Sequence, residues 1–111
     1  MINLLFVCSR NQLRSPTGEA MWRQRPGFSA RSAGTSPHAR RPIRPADIRW
    51  ADVILVMEAK HRQRLQATFG RLLQHTPLHC LDIPDDYRCM QPALMALLEE
   101  RVARCLAQPP L

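Results

Sequence analysis

INLLFVCSRNQLRSP, residues 2–16, reads as a buried strand, a tight polar loop and the opening of a helix in direct succession. Residues 2–7 form a continuous apolar run instead of an alternating one, as expected for a strand covered on both faces in an α/β sheet. The run ends at Cys8. Ser15 can cap free backbone N–H groups, and Pro16 is tolerated at the start of a helix. That helix is expected over roughly 15–25, with Pro26 and Gly27 stopping it. Such a strand–loop–helix unit aims several backbone N–H groups and the positive end of the helix dipole at one point, which makes an anion site.

A cysteine in that concavity has its thiolate stabilised and becomes nucleophilic near neutrality. Cys8 is so placed. Arg14, six residues on, can return across the loop and present its planar fork to two phosphoryl oxygens, which a lysine does less well. Ser15 can turn its hydroxyl towards the sulfur. Asn11, mid-loop, tolerates left-handed backbone and can bond the loop to itself. The remaining loop residues, Ser9, Arg10, Gln12 and Leu13, are candidates for binding phosphate or organising the loop. A cysteine and an arginine at this spacing are weak as a pattern, but the preceding strand, Asn11 and the Arg14-Ser15-Pro16 helix start strengthen it.

The rest of the chain repeats the same alternation. FSARSAG (28–34) reads as a second strand, DVILVM (52–57) as a third and LHCLDI (78–83) as a fourth. Residues 35–45, rich in Pro, Arg and Ser, suit an exposed loop. EAKHRQRLQATFG (58–70) looks helical with Gly70 at its end, and His61 on it reads as a surface residue. A last helix from about Pro92 to Ala107 spaces Leu94, Leu97, Leu98, Val102 and Leu106 to face a core, and Pro109 and Pro110 close the chain. The expected class is α/β: one domain over residues 1–111, a mainly parallel sheet with helices on both faces, built through right-handed crossovers.

Ligands bind such sheets at the carboxyl ends of the strands. Cys8 lies there, and so does the Asp85-Asp86 pair after the fourth strand. Breaking a phosphate ester needs a proton for the leaving oxygen and then a base to activate water, and one carboxyl can serve both steps. Either aspartate fits that role.

The composition narrows the setting. The longest apolar runs are far too short to cross a bilayer, so no membrane partner is expected. The first ten residues have no basic stretch before an apolar core, which points to a cytoplasmic protein rather than an exported one. Four cysteines at 8, 80, 89 and 105 show no CxxC spacing and read as thiols. The net charge of +7 is carried almost wholly by arginine, Lys60 being the sole lysine, and it favours anionic partners. No aromatic stacking platform accompanies the arginines at 40, 41, 44 and 49, which argues against nucleic acid. His75, His79, Cys80 and Cys89 fit no standard zinc spacing, so neither metal nor cofactor is expected.

On these residues the chain resembles the low-molecular-weight protein tyrosine phosphatases, especially the short bacterial members of that superfamily. VCSRNQLRSP is similar to their phosphate loop, RSAGTSP (31–37) to the segment after their first helix, and WADVILVME to a strand ending in Met and an acidic residue. The resemblance implies a three-layer, phosphotyrosine phosphatase I-like fold with a four-stranded parallel sheet in the order 2-1-3-4. It implies Cys8 as nucleophile, Arg14 as phosphate ligand, Asn11 as loop organiser and Ser15 as thiolate partner. IPDDY resembles the family's Asp-Pro-Tyr acid turn, which favours Asp85 over Asp86 as the acid and makes Tyr87 a candidate wall of the substrate site. The implied activity is hydrolysis of phosphate monoesters, protein phosphotyrosine foremost, through a phosphocysteine intermediate; the partners are a phosphorylated protein or a small phosphate ester.

Three departures stand out. Leu13 occupies the position of the family's second loop cysteine, Asp86 replaces the proline of the acid turn, and the chain is shorter between Thr35 and Trp50. Two other readings use the same loop. A thiol-based arsenate reductase would need two further cysteines, for which Cys80 and Cys89 flank the acid turn, although a core Cys80 is the simpler account. A non-catalytic module would bind phosphate without turnover.

Overall fold

The computed structural model describes residues 1–107; Pro109 and Pro110, expected to close the chain, lie outside them. Strands and helices alternate as β1 (Ile2–Cys8), α1 (Arg14–Trp22), β2 (Phe28–Gly34), α2 (Pro45–Trp50), β3 (Val53–Val56), α3 (Ala59–Phe69), β4 (Leu78–Cys80) and α4 (Pro92–Ala107). The strands pair in parallel in the order β2-β1-β3-β4, the order that the resemblance implied.

The unbroken apolar run of β1 is explained by two cores. Leu4, Phe6 and Cys8 join Trp22 of α1 and Leu94, Leu98 and Val102 of α4 on one face. Leu5 and Val7 join Ile48 of α2 and Leu65 of α3 on the other. In β3, Leu55 likewise faces the first core while Ile54 and Val56 face the second. Each large apolar side chain contributes about 1.5–3 kcal/mol when fully buried, so leaving either face bare would cost the sheet several times that amount. Helix α1 lies so close to β1 that a Cβ on Gly18 would sit 2.5 Å from the Phe6 ring. The close approach outweighs the roughly 1 kcal/mol that glycine costs a helix.

Four expectations need correction. Helix α1 begins at Arg14 and ends at Trp22, and Ser15 does not cap it, because its hydroxyl is committed elsewhere, as described below. Residues 45–50, without an assigned element in the sequence, form α2, with Pro45 at its first position and Asp47 accepting the Arg44 backbone N–H at 3.0 Å. Strand β4 stops at Cys80, yet its ladder runs on through Leu81 N–H to Val56 O (2.8 Å) and Ile83 N–H to Met57 O (2.9 Å). His61, expected on the surface, is buried, because its ring turns inward from the first turn of α3.

Some of the arginine surplus is structural. The buried Asp47 carboxylate is faced by Arg31, Arg41 and Arg44 at 3.4–3.7 Å. Among the described residues no helix is long and apolar enough to cross a membrane. From β1 the chain crosses through α1 to β2, whereas from β2 it returns through α2 to β3 on the opposite side of β1. The carboxyl ends of β1 and β3 therefore border the switch-point crevice where such sheets bind ligands.

Candidate active site

The loop after β1 is clamped from outside. Four successive carbonyls, those of Cys8, Ser9, Arg10 and Asn11, accept hydrogen bonds from Thr35 N, Ser36 N, Arg40 N and Arg40 Nε at 2.9–3.0 Å. With these carbonyls turned outward, the N–H groups of residues 9–12 on the same peptide planes are left to the opposite, concave side, and among the described residues none is spent on a protein acceptor. Asn11 makes the bend possible at φ +56, in the left-handed region that asparagine tolerates. Gly34 makes the clamp possible: a Cβ there would lie 2.6 Å from Ser9 O and 2.5 Å from Ala39 Cβ. Residues 35–40 are the loop that their composition suggested, exposed at Pro37, His38 and Arg40, and they are tied by these bonds to the loop after β1.

Inside the loop the hydrogen bonds have a direction. Asn11 Nδ2 donates to Ser15 Oγ at 2.9 Å, and Ser15 Oγ lies 2.9 Å from Cys8 Sγ. Because the serine oxygen accepts from the amide, its own proton is free to point at the sulfur. Asn11 and Ser15 are fully buried, so water does not compete for these bonds.

Arg14 crosses the loop and is anchored along one edge. Its Nη1 donates to Glu58 Oε1 and, at 2.7 Å, to the Ile83 carbonyl, tying the loop to the segments that follow β3 and β4. The opposite edge, Nε and Nη2, makes no hydrogen bond among the described residues. That edge has the two-pronged geometry that matches a phosphoryl group. The Arg14 guanidinium beside Glu58 holds that carboxyl below its ordinary range.

A cavity of about 500 Å³ opens over these groups. Cys8, Ser9, Gln12, Leu13 and Arg14 line it, Arg10 and Lys60 add positive charge, and Asp85 contributes a carboxylate. Asp85 Oδ1 is 3.7 Å from Arg14 Nε, and the side chain is 67% exposed, so it can reach the cavity and exchange protons with solvent. Asp86 is exposed and is not among the lining residues. Tyr87, a candidate wall in the sequence, is absent from the lining as well: its ring is half-buried against the α1–α4 core.

The other cysteines lie elsewhere. Cys80 Sγ is 3.4 Å from Asp82 Oδ1, and burial pushes its thiol up. Cys89 is exposed beside Thr17, 3.7 Å from its hydroxyl. Neither lines the cavity over Cys8. All four cysteines are free thiols, and among the described residues no three His, Cys, Asp or Glu side chains gather as a metal site.

Sequence reasoning missed Glu58 and His61. The ring of His61 is only 1% exposed, accepts the Glu58 backbone N–H at Nδ1 (3.0 Å) and places Nε2 2.9 Å from Ser9 Oγ. Burial first, then the nearby Arg14 and Lys60 charges, lower its pKa to about 4 against the opposing pull of Glu58 and Asp85. Between about pH 6.5 and 4 the unfolded chain therefore binds a proton that the folded chain refuses. This contribution to stability is complete above pH 6.5 and declines on acidification through that window, by on the order of 3 kcal/mol in all. Urea unfolding across the range should show that decline in the native protein and a shallower one in His61→Gln; equal slopes would contradict the assignment.

No protein-family model matches the sequence, and no curated protein matches it as a relative. Solved structures do match. The tyrosine phosphatase Wzb from Escherichia coli, in complex with phosphate, is similar at a TM-score of 0.75 and 24% identity, over 95% of this chain and 96% of that one. The YwlE arginine phosphatase from Geobacillus stearothermophilus matches at a TM-score of 0.71 and 23% identity, over 96% and 93%. The low molecular weight protein tyrosine phosphatase from T. tengcongensis matches at 0.70 and 19%, over 93% and 94%. The fold is the one these phosphatases share, over nearly the whole length of each chain.

Proposed function

We propose that the chain is a cysteine-dependent phosphatase that hydrolyses phosphate monoesters through a phosphocysteine intermediate. The observation that carries this reading is the convergence on one cavity of Cys8 Sγ beside the Ser15 hydroxyl, the Nε and Nη2 edge of Arg14 and the inward N–H groups of residues 9–12. The Cys8 thiolate attacks phosphorus, and the bond to the leaving oxygen breaks as Asp85 gives that oxygen a proton. Arg14 and the loop, from Ser9 through Arg10, Asn11, Gln12 and Leu13, hold the phosphoryl oxygens while charge spreads over them. Asp85, now a carboxylate, takes a proton from water as the water oxygen attacks phosphorus. The S–P bond breaks, and the thiolate leaves against the Ser15 hydroxyl, releasing phosphate.

The substrate is a phosphorylated protein or a small phosphate ester, with phosphotyrosine the protein substrate that the sequence resemblance favours, and the site of action is the cytoplasm. The solved structures of like fold support phosphoryl chemistry, being named as tyrosine and arginine phosphatases. Purified protein should hydrolyse a small aryl phosphate with a burst of phenol. Asp85→Asn should slow esters of poorly acidic alcohols about 10²-fold or more and esters of acidic phenols much less, because only the former need protonation to leave. A uniform loss across leaving groups, or a larger one in Asp86→Asn, would remove Asp85 from the acid role. No turnover of any aryl phosphate would leave a phosphate-binding module.

A further inference from the structure

Ser9 sits beside Cys8 on the cavity wall, with its Oγ 2.9 Å from His61 Nε2. The far side of the ring decides which atom donates. The backbone N–H of Glu58 can only donate, and it meets His61 Nδ1 at 3.0 Å, so Nδ1 offers its lone pair and the proton of the neutral imidazole is on Nε2. Nε2–H therefore donates and Ser9 Oγ accepts. Burial and the neighbouring cations keep the ring neutral throughout the physiological range, so this single tautomer persists.

A serine hydroxyl has one proton, and an oxygen that already accepts from histidine is free to donate that proton elsewhere. Among the described residues the Ser9 hydroxyl has no other hydrogen-bond partner. Ser9 is one of the residues that line the cavity with Cys8 and Arg14. We propose that Ser9 is a phosphoryl-binding residue whose hydroxyl donates to a non-bridging oxygen of the bound group, and that His61 is the positioning residue that aims it. Its part in turnover rests on the phosphatase reading; its part in holding a phosphate anion does not.

The contact completes the site chemically. The loop N–H groups and Arg14 are fixed donors, whereas a hydroxyl can rotate with an oxygen that moves as the phosphoryl group passes from ester to sulfur. His61 narrows that rotation without taking the proton.

Inorganic phosphate binding, measured by calorimetry, tests the proposal independently of turnover. Ser9→Ala should weaken phosphate binding roughly tenfold or more, the usual scale of a hydrogen bond to a charged group, and lower kcat/KM for an aryl phosphate by a similar factor. Ser9→Thr, which keeps the hydroxyl, should restore most of both. His61→Gln, whose amide can still donate to Oγ, should lose less than His61→Ala. The double variant Ser9→Ala/His61→Ala should be no worse than the weaker single, since both act through one hydroxyl. Native phosphate affinity in Ser9→Ala, or full additivity of the two losses, would overturn the assignment. If the native protein turned over no aryl phosphate but Ser9→Ala still lost phosphate affinity, the Ser9 contact would stand and the phosphatase reading would fall.

Discussion

Cys8→Ser abolishes turnover, a loss of at least ~10⁴-fold, and leaves inorganic phosphate binding largely in place. The substitution exchanges sulfur for oxygen and alters little else, so the outward carbonyls, the inward N–H groups and the free edge of Arg14 remain. What disappears is the sulfur nucleophile. Ser15, polarised by Asn11, can stabilise a thiolate but cannot bring an alcohol to ionise, and a phosphoserine formed slowly would lack a good leaving group for the second step. Phenol release and phosphate calorimetry on the same preparation separate the two effects. A variant that kept a tenth of the native rate would place the nucleophile elsewhere in the molecule.

Arg14→Lys lowers kcat/KM by about 10²–10³-fold although the charge is conserved. The native side chain spends Nη1 on Glu58 and the Ile83 carbonyl while keeping Nε and Nη2 for the ligand. An ammonium is a single point of charge and must choose. If it stays with Glu58 the phosphoryl group loses both prongs, and if it moves to the ligand the half-buried Glu58 carboxylate is left with Lys60 alone, at 3.8 Å. Aryl phosphate kinetics alongside urea unfolding distinguishes lost chemistry from lost fold. Retention of a third or more of native kcat/KM would show that charge alone suffices.

Much of this site was legible because its signals are local. A continuous apolar strand, Cys8, Asn11 and Arg14 fall within one short stretch, and the strand's two-sided burial follows from the run itself. Helix α2 was hidden in a Pro- and Arg-rich stretch, although Pro45 and Asp47 together are a helix-start signal. Ser15 could cap a helix or face the sulfur, and only the bend at Asn11 decides for the sulfur. His61 was misjudged because α3 is polar on most of its surface; its burial depends on what packs against it, here the loop after β1. Glu58 had a faint signal in the Met-acidic ending of β3, without any hint that Arg14 was its partner. Tyr87 packs inward because the first core offers its ring an apolar face.

The clamp on the loop carbonyls makes the shape of the site non-local in sequence. Residues 8–15 carry the proposed reactive groups, but the residues that hold their shape, 34–40, are brought to the loop by the pairing of β2 alongside β1. A nascent chain holding only the first strand and helix would possess Cys8 and Arg14 without a concave site between them. Closing that separation in sequence costs loop entropy before any contact rewards it. The surroundings of the proposed nucleophile therefore depend on long-range strand pairing as much as on the local motif.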